Sequence, residues 1–395
     1  MPDDLDQIFV ALNHSLQGLA PEAWRPLVSA VVSIAGIIGV FASLFAVTTV
    51  LERKGLGRIQ NRYGPNRVGP FGFLQPAADG IKALIKEDIV PRSADKVIHF
   101  LAPLMVVIPA FLVYAVLPIG RNMVLVDFDA GVLFFFAIGA ATELSVFMAG
   151  WSSRNKYSLL GAMRAIAQMI SYEIPLILSA VTVIMIVGSL STTRIVDAQA
   201  GFHSFGLPNW FVFTPWGFAG FLLFMIAATA ETNRSPFDLP EGESEIIAGY
   251  YIEYSGFKFA LFFLGEYMGM FAISGLGITL FLGGWHAPLA ALEFVPSWMW
   301  FFAKLLVIIF VFIWVRGTLP RLRMDQLMNF AWKFMLPMAL INIISAAVWH
   351  FMLPERAPWE RWLVGIALLV GPYILLGRGL MEGKKIEKRT YRYAE

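Results

Sequence analysis

The sequence predicts an all-α polytopic membrane protein with about nine transmembrane helices, long cytoplasmic loops and an amphipathic interfacial helix. Of its 395 residues, 58% are hydrophobic and only 15% are charged, whereas soluble domains average about 45–50% apolar and about 25% charged residues. The apolar residues are collected in long runs, and a run of roughly 20 such residues is enough to cross a bilayer. The basic residues are collected between alternate runs, which is typical of loops on one side of a membrane.

Nine apolar runs are predicted to span the membrane, and the fifth is the shortest. Prolines inside the second, fourth and eighth runs are expected to kink or locally open those helices. The runs are Leu27–Leu51, Phe100–Ile119, Val132–Trp151, Ala165–Leu190, Pro215–Ala230, Phe259–Leu282, Met299–Val315, Phe334–Met352 and Trp362–Leu380.

Residues 1–26 are predicted to form a periplasmic N-terminal segment. The first six residues include three aspartates, whereas a secretory signal begins with basic residues and a transit peptide is poor in acids. No cleaved targeting segment is therefore predicted. Apolar residues recur at helical spacing between Leu5 and Leu19, which is compatible either with a helix lying on the membrane or with a frayed terminus.

The distribution of basic residues predicts the orientation of the chain. Twenty-four of the 30 lysines and arginines fall in segments on one side of the predicted membrane, and the side richer in these residues is cytoplasmic. The N-terminus is then outside the cytoplasm and the C-terminus is cytoplasmic. The acidic start without a transit segment and the long tail favour a bacterial inner membrane, with the N-terminus periplasmic. Residues 27–352 form the membrane core, with cytoplasmic loops at 52–99 and 231–258, and residues 353–395 add a C-terminal transmembrane helix and a basic tail.

The first cytoplasmic loop contains a candidate amphipathic helix. Between Phe73 and Ile89, one helical face is apolar and the opposite face is charged, which predicts a helix that lies on the membrane or on a partner. The apolar residues are Leu74, Ala77, Ile81, Leu84 and Ile85, and the charged residues are Asp79, Lys82 and Lys86.

The residue types that are absent exclude several chemistries. There is no cysteine, and so the chain has no disulfide, no thiolate zinc site and no cysteine ligand for an iron–sulfur cluster. No two of the five histidines share a predicted run, which disfavours a b-type haem. No Walker motif occurs, and Gly55-Leu56-Gly57 lacks the third glycine of a dinucleotide fingerprint. No cofactor, metal ion or nucleic acid is therefore predicted to bind this chain, and any electron carrier belongs to a partner.

Three predicted spans carry a glutamate inside the membrane: Glu143 in the third, Glu173 in the fourth and Glu266 in the sixth. At about 1.5 Å per residue, each lies roughly 10–12 Å from the cytoplasmic end of its run, and Glu231 closes the fifth run at the same end. An acid near the bilayer centre costs about 2.5–3.5 kcal/mol. A layer of four such acids therefore favours a function such as proton exchange.

A structural interpretation of these acids is left open, in which each pairs with a nearby base. Arg164 and Tyr172 are close to Glu173 in the sequence, and Lys304 lies alone in the seventh run. Because the acids outnumber the bases within the runs, the functional interpretation is favoured.

The segment from Glu231 to Tyr254 is unusually acidic for a loop between two spans. It has six carboxylates against one arginine, Arg234, and carboxylates this close are expected to titrate as a coupled cluster. Calcium binding is a competing interpretation, which the absence of the D-x-D-x-D-G order weakens. The six are Glu231, Asp238, Glu241, Glu243, Glu245 and Glu253.

Five sequence blocks resemble one family closely, and they occur in family order over roughly Leu27 to Met352. They are E-R-K-G-L-G-R-I-Q-N-R-Y-G-P-N-R-V-G-P-F-G-F-L-Q-P-A-A-D-G-I-K (Glu52–Lys82), G-A-M-R-A-I-A-Q-M-I-S-Y-E (Gly161–Glu173), A-E-T-N-R-S-P-F-D-L-P-E-G-E-S-E (Ala230–Glu245), L-F-F-L-G-E-Y (Leu261–Tyr267) and W-V-R-G-T-L-P-R-L-R-M-D-Q-L-M (Trp314–Met328). The family is the membrane subunit of respiratory complex I, the NADH-quinone oxidoreductase, that is called the H subunit in bacteria and subunit 1 in mitochondria.

The resemblance implies a subunit at the junction of the peripheral and membrane arms of a proton-translocating NADH:quinone oxidoreductase. Such a subunit binds no redox centre, so that FMN and iron–sulfur clusters are expected in partner subunits. Quinone is the substrate and enters through a tunnel that this subunit largely forms. The partners are the quinone-site peripheral subunits and neighbouring small membrane subunits, within a lipid bilayer.

The resemblance also assigns roles to two sets of residues. Positions that match the quinone tunnel or its interface are Arg53, Arg62, Asp79, Arg234, Asp238, Arg316, Arg321, Arg323 and Asp325. Positions that match a proton relay of buried acids are Glu143, Glu173, Glu231, Glu241, Glu243, Glu245, Glu253 and Glu266, with Arg164 as a basic partner.

Two features depart from the eight-helix form of the family: the ninth span with its basic tail (Trp362–Glu395), and the long segment before Leu27. Neither touches the matching blocks. Two other functions are compatible with the sequence. One is the homologous subunit of a membrane-bound hydrogenase or an F420H2 dehydrogenase, and the other is a free-standing proton-coupled transporter. The complete acidic block and the basic first loop favour complex I, and the long cytoplasmic loops favour docking to partner subunits over free-standing transport.

Overall fold

The computed structural model describes residues 5–202, 208–239, 248–353 and 357–381. Over these ranges the chain consists of α-helices joined by turns and by short 3-10 and π-helical segments, without any β-strand. The predicted all-α polytopic fold is therefore confirmed.

The helices follow the predicted runs in order. They are α1 (Ile8–Gly18), α2 (Arg25–Ile59), α3 (Gln75–Ile85), α4 (Lys96–Leu112), α5 (Gly131–Gly139), α6 (Ala141–Ser152), α7 (Lys156–Val187), α8 (Thr192–Asp197), α9 (Pro215–Glu231), α10 (Gly256–Phe281), α11 (Ser297–Thr318), α12 (Met324–Phe330), α13 (Leu336–Ala347) and α14 (Pro358–Met381). The third run is divided between α5 and α6, and four short helices (α1, α3, α8 and α12) lie outside the predicted runs. A π-helical turn, Ala331–Met335, joins α12 to α13.

Within the described ranges, eight helical segments are long and apolar enough to cross a membrane. The fifth predicted run forms α9, which has only 17 residues and is about 26 Å long at 1.5 Å per residue. This is slightly less than the roughly 30 Å of a hydrocarbon core. Its start is fixed by Thr214, whose hydroxyl accepts a hydrogen bond from the Gly217 amide at 3.1 Å.

Polar residues extend two helices beyond the predicted runs. α7 begins at Lys156 rather than at Ala165, because the Asn155 side chain caps it by accepting a hydrogen bond from the Tyr157 amide at 3.0 Å. α2 likewise continues past its apolar run to Ile59. Glu173 therefore lies about 26 Å from the start of its helix, farther than its position in the apolar run predicts.

The bundle is organised around α7 and α10. α7 packs against α6, α9 and α13, whereas α10 packs against α4, α9 and α11. α2 and α14 lie at the edge, and their outward apolar side chains, such as Val31, Ile34, Leu363 and Ile366, are exposed. Exposed apolar surface of this kind is expected where a spanning helix faces lipid.

The helix ends define two faces of the bundle. The loop face carries the connections 60–95 and 232–255, and the far face carries 117–130, 188–214 and 282–296. α3, on the loop face, exposes Ile81, Leu84 and Ile85, as predicted for an amphipathic helix. α1 lies on the far face as a formed helix rather than a frayed end, and Asn13 anchors it to α2 through hydrogen bonds to the Ser29 and Ser33 hydroxyls.

Lys304 lies near the far face and not among the acids. Its Nζ donates hydrogen bonds to the carbonyl oxygens of Leu282, Gly284 and His286 at 2.7, 2.8 and 2.7 Å and lies 4.0 Å from the centre of the Trp210 ring. The last carbonyl groups of a helix have no partner within it and carry partial negative charge. The ammonium group therefore caps α10 at Leu282 and binds two carbonyls of the turn that follows, and the suggested pairing of Lys304 with a buried acid is wrong.

Lys304→Met is expected to destabilise the fold, because three carbonyl groups lose their donor in a buried setting. A buried polar group without a partner costs about 1–3 kcal/mol, so the thermal unfolding midpoint of the purified protein should fall by a few degrees. Lys333→Met, at an exposed position on the π-helical turn, is the matched control. Equal midpoints for the two variants would contradict the capping role.

Candidate functional site

The interior of the bundle contains a cavity that brings together acids from separate helices. Glu173 of α7, Glu231 of α9 and Glu266 of α10 line this cavity, which has a volume of about 90 Å³. Glu143 of α6 adjoins it, because its carboxyl group shares a hydrogen bond with that of Glu173. We call this arrangement of four glutamates and their shared space the carboxylate cavity.

Small residues keep the carboxylate cavity open. Gly139, at the end of α5, and Gly269 of α10 both line it. A Cβ atom added at either glycine would have no other atom within 4 Å, so the space beside each helix backbone is empty of protein. Ala140, where α5 gives way to α6, lines the same wall. A larger side chain at either glycine would therefore occupy part of this volume.

The carboxylate cavity has the size to hold water, and its mainly apolar lining is interrupted by a few polar groups that water could contact. Glu143 Oε1 and Glu231 Oε2 are buried without a hydrogen-bond partner in the described protein, and Thr142, Thr232 and Asn233 add further polar groups to the lining. A polar cavity of about 10–15 Å³ already accepts one water molecule on this measure of volume. The cavity therefore has room for several waters that could join its carboxyl groups.

Two tyrosines hold the carboxyl group of Glu266. The Tyr251 hydroxyl donates to Glu266 Oε1 and accepts a hydrogen bond from the Tyr250 hydroxyl at 2.7 Å, and the Tyr250 oxygen also lies 3.2 Å from Glu266 Oε1. These tyrosines lie in the 232–255 connection, so the acidic loop reaches back to the cavity. A change of charge at Glu266 would therefore change the hydrogen bonds that join it to that connection.

The acids of the cavity act mainly on one another. The charges that act on Glu231 are those of Glu143 and Glu173, and no lysine or arginine of the described segments is among the groups that act on these three carboxyls. Tyr172 is not a hydrogen-bond donor to Glu173, because the Tyr172 hydroxyl donates to the Leu327 carbonyl at 2.9 Å. The geometry is that of a shared carboxyl cluster and not of separate ion pairs.

A second cluster adjoins the cavity and contains two residues that sequence analysis did not single out. Glu52 of α2 is 5% exposed, and its carboxylate pairs with Arg234 at 3.4 Å and with Arg316. Tyr267 donates its hydroxyl to Glu52, and the Arg234 guanidinium lies 4.0 Å from the centre of the Tyr267 ring. We call these four residues the Glu52 cluster.

The Glu52 cluster and the carboxylate cavity are electrostatically connected. Tyr267 follows Glu266 directly on α10, and the charge of Glu266 acts on Arg234. The loop that carries Arg234 is fixed by Gln168 of α7, whose amide donates to the carbonyls of Ala230 and Phe237, both at 2.7 Å. Gln168 is a third residue that sequence analysis missed, although it lies within the matching block at 161–173.

Arg53 and Asp79 form a pair on the loop face. Their side chains are 2.6 Å apart, and Gln75 and Lys82 also contact Asp79. Partial burial alone would raise the pKa of Asp79, but the hydrogen bond and charge of Arg53 hold this pKa below its usual value. Asp79 is therefore ionised at neutral pH, and the pair ties α3 to the end of α2.

The remaining predicted residues lie around the loop face. Arg62 is exposed and donates to Gln60 at 2.8 Å, and Arg323 and Asp325 are exposed at the start of α12. Glu253 accepts a hydrogen bond from Asn155 at 2.7 Å. Half-buried positions are occupied by Arg164, Asp238 and Arg321. Glu241, Glu243 and Glu245 lie outside the described residues.

No group of three or more histidine or acidic residues within the described ranges has the geometry of a metal site. The fold and the site together define a class of protein: a polytopic helical membrane protein that encloses a cluster of carboxyl groups next to a buried ion cluster. Residues 32–347 match the sequence model of a family described as NADH dehydrogenase. The chain belongs to this family.

Its relatives include three proteins that are named as the H subunit of NADH-quinone oxidoreductase. The one from Dehalococcoides mccartyi is 50% identical over 328 residues, which are 83% of this chain and 89% of the relative. That from Geobacillus kaustophilus is 46% identical over 84% of this chain and 99% of its own length. That from a Janthinobacterium species is 42% identical over 91% of this chain and 100% of its own length. The resemblance to this family of complex I membrane subunits is thereby confirmed.

Proposed function

We propose that this chain is the membrane subunit of a proton-translocating NADH:quinone oxidoreductase that forms the quinone access tunnel and relays quinone reduction to proton pumping. The names of the relatives support the assembly into such a complex. FMN and iron–sulfur clusters then belong to partner subunits, and quinone is the substrate. The observation that carries the relay is the meeting of four glutamates from four helices at one cavity.

The relay works through the mutual sensitivity of these carboxyl groups. Two unit charges 4 Å apart interact by roughly 4 kcal/mol at an effective dielectric constant of 20, and each 1.4 kcal/mol shifts a protonation equilibrium about tenfold. A charge change at one end of the cavity therefore drives proton transfer at the other end. The Glu52 cluster supplies the input, because Arg234 is in electrostatic contact with Glu266.

The tunnel is proposed between the end of α2 and α3 on the loop face. A quinone has a polar head and an apolar tail, and α3 offers an exposed apolar face, including Ile81 and Leu84, beside the charged Arg53–Asp79 pair. Helices α2 and α3 are in contact with each other and α3 also contacts α10, which carries Glu266. A quinone entering there would reach the Glu52 cluster and the carboxylate cavity without leaving the bundle.

The loop face is proposed to be cytoplasmic, in a bacterial inner membrane, with the N-terminus periplasmic and the C-terminus cytoplasmic. Nine lysines and arginines lie between Arg53 and Lys96, and basic loops remain on the cytoplasmic side. The quinone-site peripheral subunits would dock on this face, and the small membrane subunits would pack against the lipid-exposed helices.

Gly269→Leu tests the relay without altering any carboxyl group. The new side chain has open space at its Cβ position and would fill the carboxylate cavity, so that water could no longer join the acids. In the assembled complex, quinone reductase activity and proton pumping should fall together by severalfold, while reduction of ferricyanide by NADH is retained. Gly36→Leu, whose added Cβ also meets open space on lipid-facing α2, is the control. Normal quinone activity in assembled Gly269→Leu would refute the relay.

Asp79→Asn tests the tunnel. The substitution removes a charge that Arg53 stabilises, so the apparent KM for quinone should rise severalfold or the turnover should fall. A partly exposed ion pair contributes only about 0–1 kcal/mol, so the stability of the complex should change little. Asp88→Asn, which breaks the Lys258 pair on the same face, is the matched control and should leave the KM unchanged. An unaltered KM and turnover in Asp79→Asn would count against the tunnel position.

A further inference from the structure

The far face contains a second cavity, larger than the carboxylate cavity and unconnected with the proposed relay. Its volume is about 240 Å³, against about 90 Å³ for the carboxylate cavity. Acidic, basic and uncharged polar side chains line it, and we call it the far-face chamber. Its polar lining includes Asp6, Arg121, His286, Glu293, Ser297 and Trp300.

Helix α1 closes one side of the far-face chamber. Asp6 Oδ1, just before α1, accepts hydrogen bonds from the amide and the hydroxyl of Ser297 at 2.6 and 2.5 Å. The Arg121 amide donates to the same hydroxyl at 3.0 Å, and Gln7 donates to the Arg121 carbonyl at 3.2 Å. The start of α1, the turn at Arg121 and the start of α11 are thus held together, and the carboxylate of Asp6 already has two donors.

Several polar groups of the chamber lack a protein partner. His286 Nε2 and Trp300 Nε1 are buried without a hydrogen-bond partner in the described chain. The Arg121 guanidinium is close enough to His286 for its charge to act on the ring. Burial, followed by the charge of Lys304, lowers the pKa of His286, so the imidazole is neutral at neutral pH. The other nitrogen of the ring hydrogen-bonds to the Val196 backbone, so Nε2 of the neutral ring is an acceptor. Trp300 Nε1, by contrast, is a buried donor without an acceptor, which is unfavourable. Trp300 and Arg121 together indicate a site for an acceptor-rich ligand, and His286 Nε2 can accept a hydrogen bond from a donor of that ligand.

The chamber lies where the headgroups of a bilayer are expected. It is formed at the far-face ends of α10 and α11, and Trp285 and Phe294 form part of its wall. Aromatic rings are typical of this level of a membrane. Beside it, Leu5, which precedes α1, and Phe9 and Leu12 of α1 are exposed at 56%, 52% and 55%, which is the pattern of a helix embedded in the interface.

We propose that the far-face chamber binds the phosphoethanolamine headgroup of a phospholipid from the adjoining leaflet. The phosphate would lie against the Arg121 guanidinium, whose planar fork suits phosphate oxygens, and would accept a hydrogen bond from Trp300 Nε1. The ammonium group would lie at Glu293. The acyl chains would run along the apolar face of α1, which explains why Phe9 and Leu12 remain about half exposed there.

The charges of the chamber favour a zwitterion over an anion. Arg121 provides the positive charge that faces the space, whereas Glu293 provides a negative charge in the same lining. A phosphatidylglycerol headgroup or free phosphate would satisfy Arg121 but would meet Glu293 without a compensating cation. Phosphatidylethanolamine carries both charges and satisfies both side chains.

The test uses the assembled complex in nanodiscs that contain phosphatidylethanolamine with a diazirine near the carboxyl end of one acyl chain. Irradiation should label peptides of α1 and of the segment 285–300. Arg121→Gln should reduce this labelling at least about tenfold, because a charge-assisted hydrogen bond is lost. Arg194→Gln, which breaks an exposed ion pair with Asp129 on the same face, is the matched control and should keep the label.

Competition identifies the headgroup. Unlabelled phosphatidylethanolamine should displace the label, whereas phosphatidylglycerol and inorganic phosphate should not. In Glu293→Gln, at an exposed position that leaves the fold intact, phosphatidylglycerol should compete as well as phosphatidylethanolamine. Undiminished labelling in Arg121→Gln, displacement by inorganic phosphate, or equal competition by both lipids in the wild type would each overturn the proposal.

Discussion

Glu52→Leu is expected to destabilise the folded chain by about 3–5 kcal/mol, the cost of leaving a buried charge without its partner. Arg234 is 9% exposed and has Glu52 as its hydrogen-bonded carboxylate, at 3.4 Å. Arg316 contacts the same oxygen. Removing the one acid leaves two guanidinium groups facing each other in the bundle, so repulsion adds to the loss of attraction. The thermal unfolding midpoint and the yield of assembled complex measure the effect.

A double substitution separates this effect from simple loss of packing. Arg316→Leu combined with Glu52→Leu should be less destabilised than the sum of the two single variants, because residues in one ion cluster are coupled by about 0.5–3 kcal/mol. Glu87→Leu, at an exposed acid on the loop face, should leave the midpoint unchanged. If the single variants were additive, the cluster would contribute packing alone.

The distances along the chain explain why the Glu52 cluster escaped prediction. The arginine partners of Glu52 are 182 and 264 residues away and Tyr267 is 215 residues away. Nothing local to an acid at the end of an apolar run distinguishes a buried ion partner from a residue at the membrane surface. The run lengths, by contrast, depend on local composition alone. They therefore gave eight of the nine predicted spans in the right order, whereas the fifth run forms a helix, α9, that is shorter than those eight spans.

The importance of the buried acids could be predicted from the sequence, but their meeting at one cavity could not. Glu143, Glu173 and Glu266 each interrupt an apolar run, and an acid there requires an explanation whatever the packing is. Their meeting at one cavity depends on the empty space beside Gly139 and Gly269, which no spacing reveals. The prediction for Lys304 was wrong for a related reason. A lysine in an apolar run can pair with a carboxylate or donate hydrogen bonds to backbone carbonyls at the end of a helix, and the sequence alone does not show which of these lies nearby.

Glu231→Gln is expected to abolish coupling while preserving the fold. Glutamine has the shape of glutamate but cannot release a proton, and it introduces no unpaired charge at Glu231 Oε2, which has no hydrogen-bond partner in the described protein. Positioned proton-transfer groups contribute about 10²–10⁴ in rate. Quinone reductase turnover and proton pumping should therefore fall together by about 100-fold or more in the assembled complex.

The pattern of activities distinguishes a relay from a damaged tunnel. In Glu231→Gln, ferricyanide reduction should be normal and the KM for quinone unchanged, because Glu231 lies at the carboxylate cavity and not at the Arg53–Asp79 pair. Glu87→Gln, an exposed carboxylate on the same face, should leave all three activities intact. Normal quinone turnover and pumping in assembled Glu231→Gln would show that proton transfer does not require Glu231. A raised KM with unchanged turnover and pumping would instead favour a role for Glu231 in the quinone path over a role in the relay.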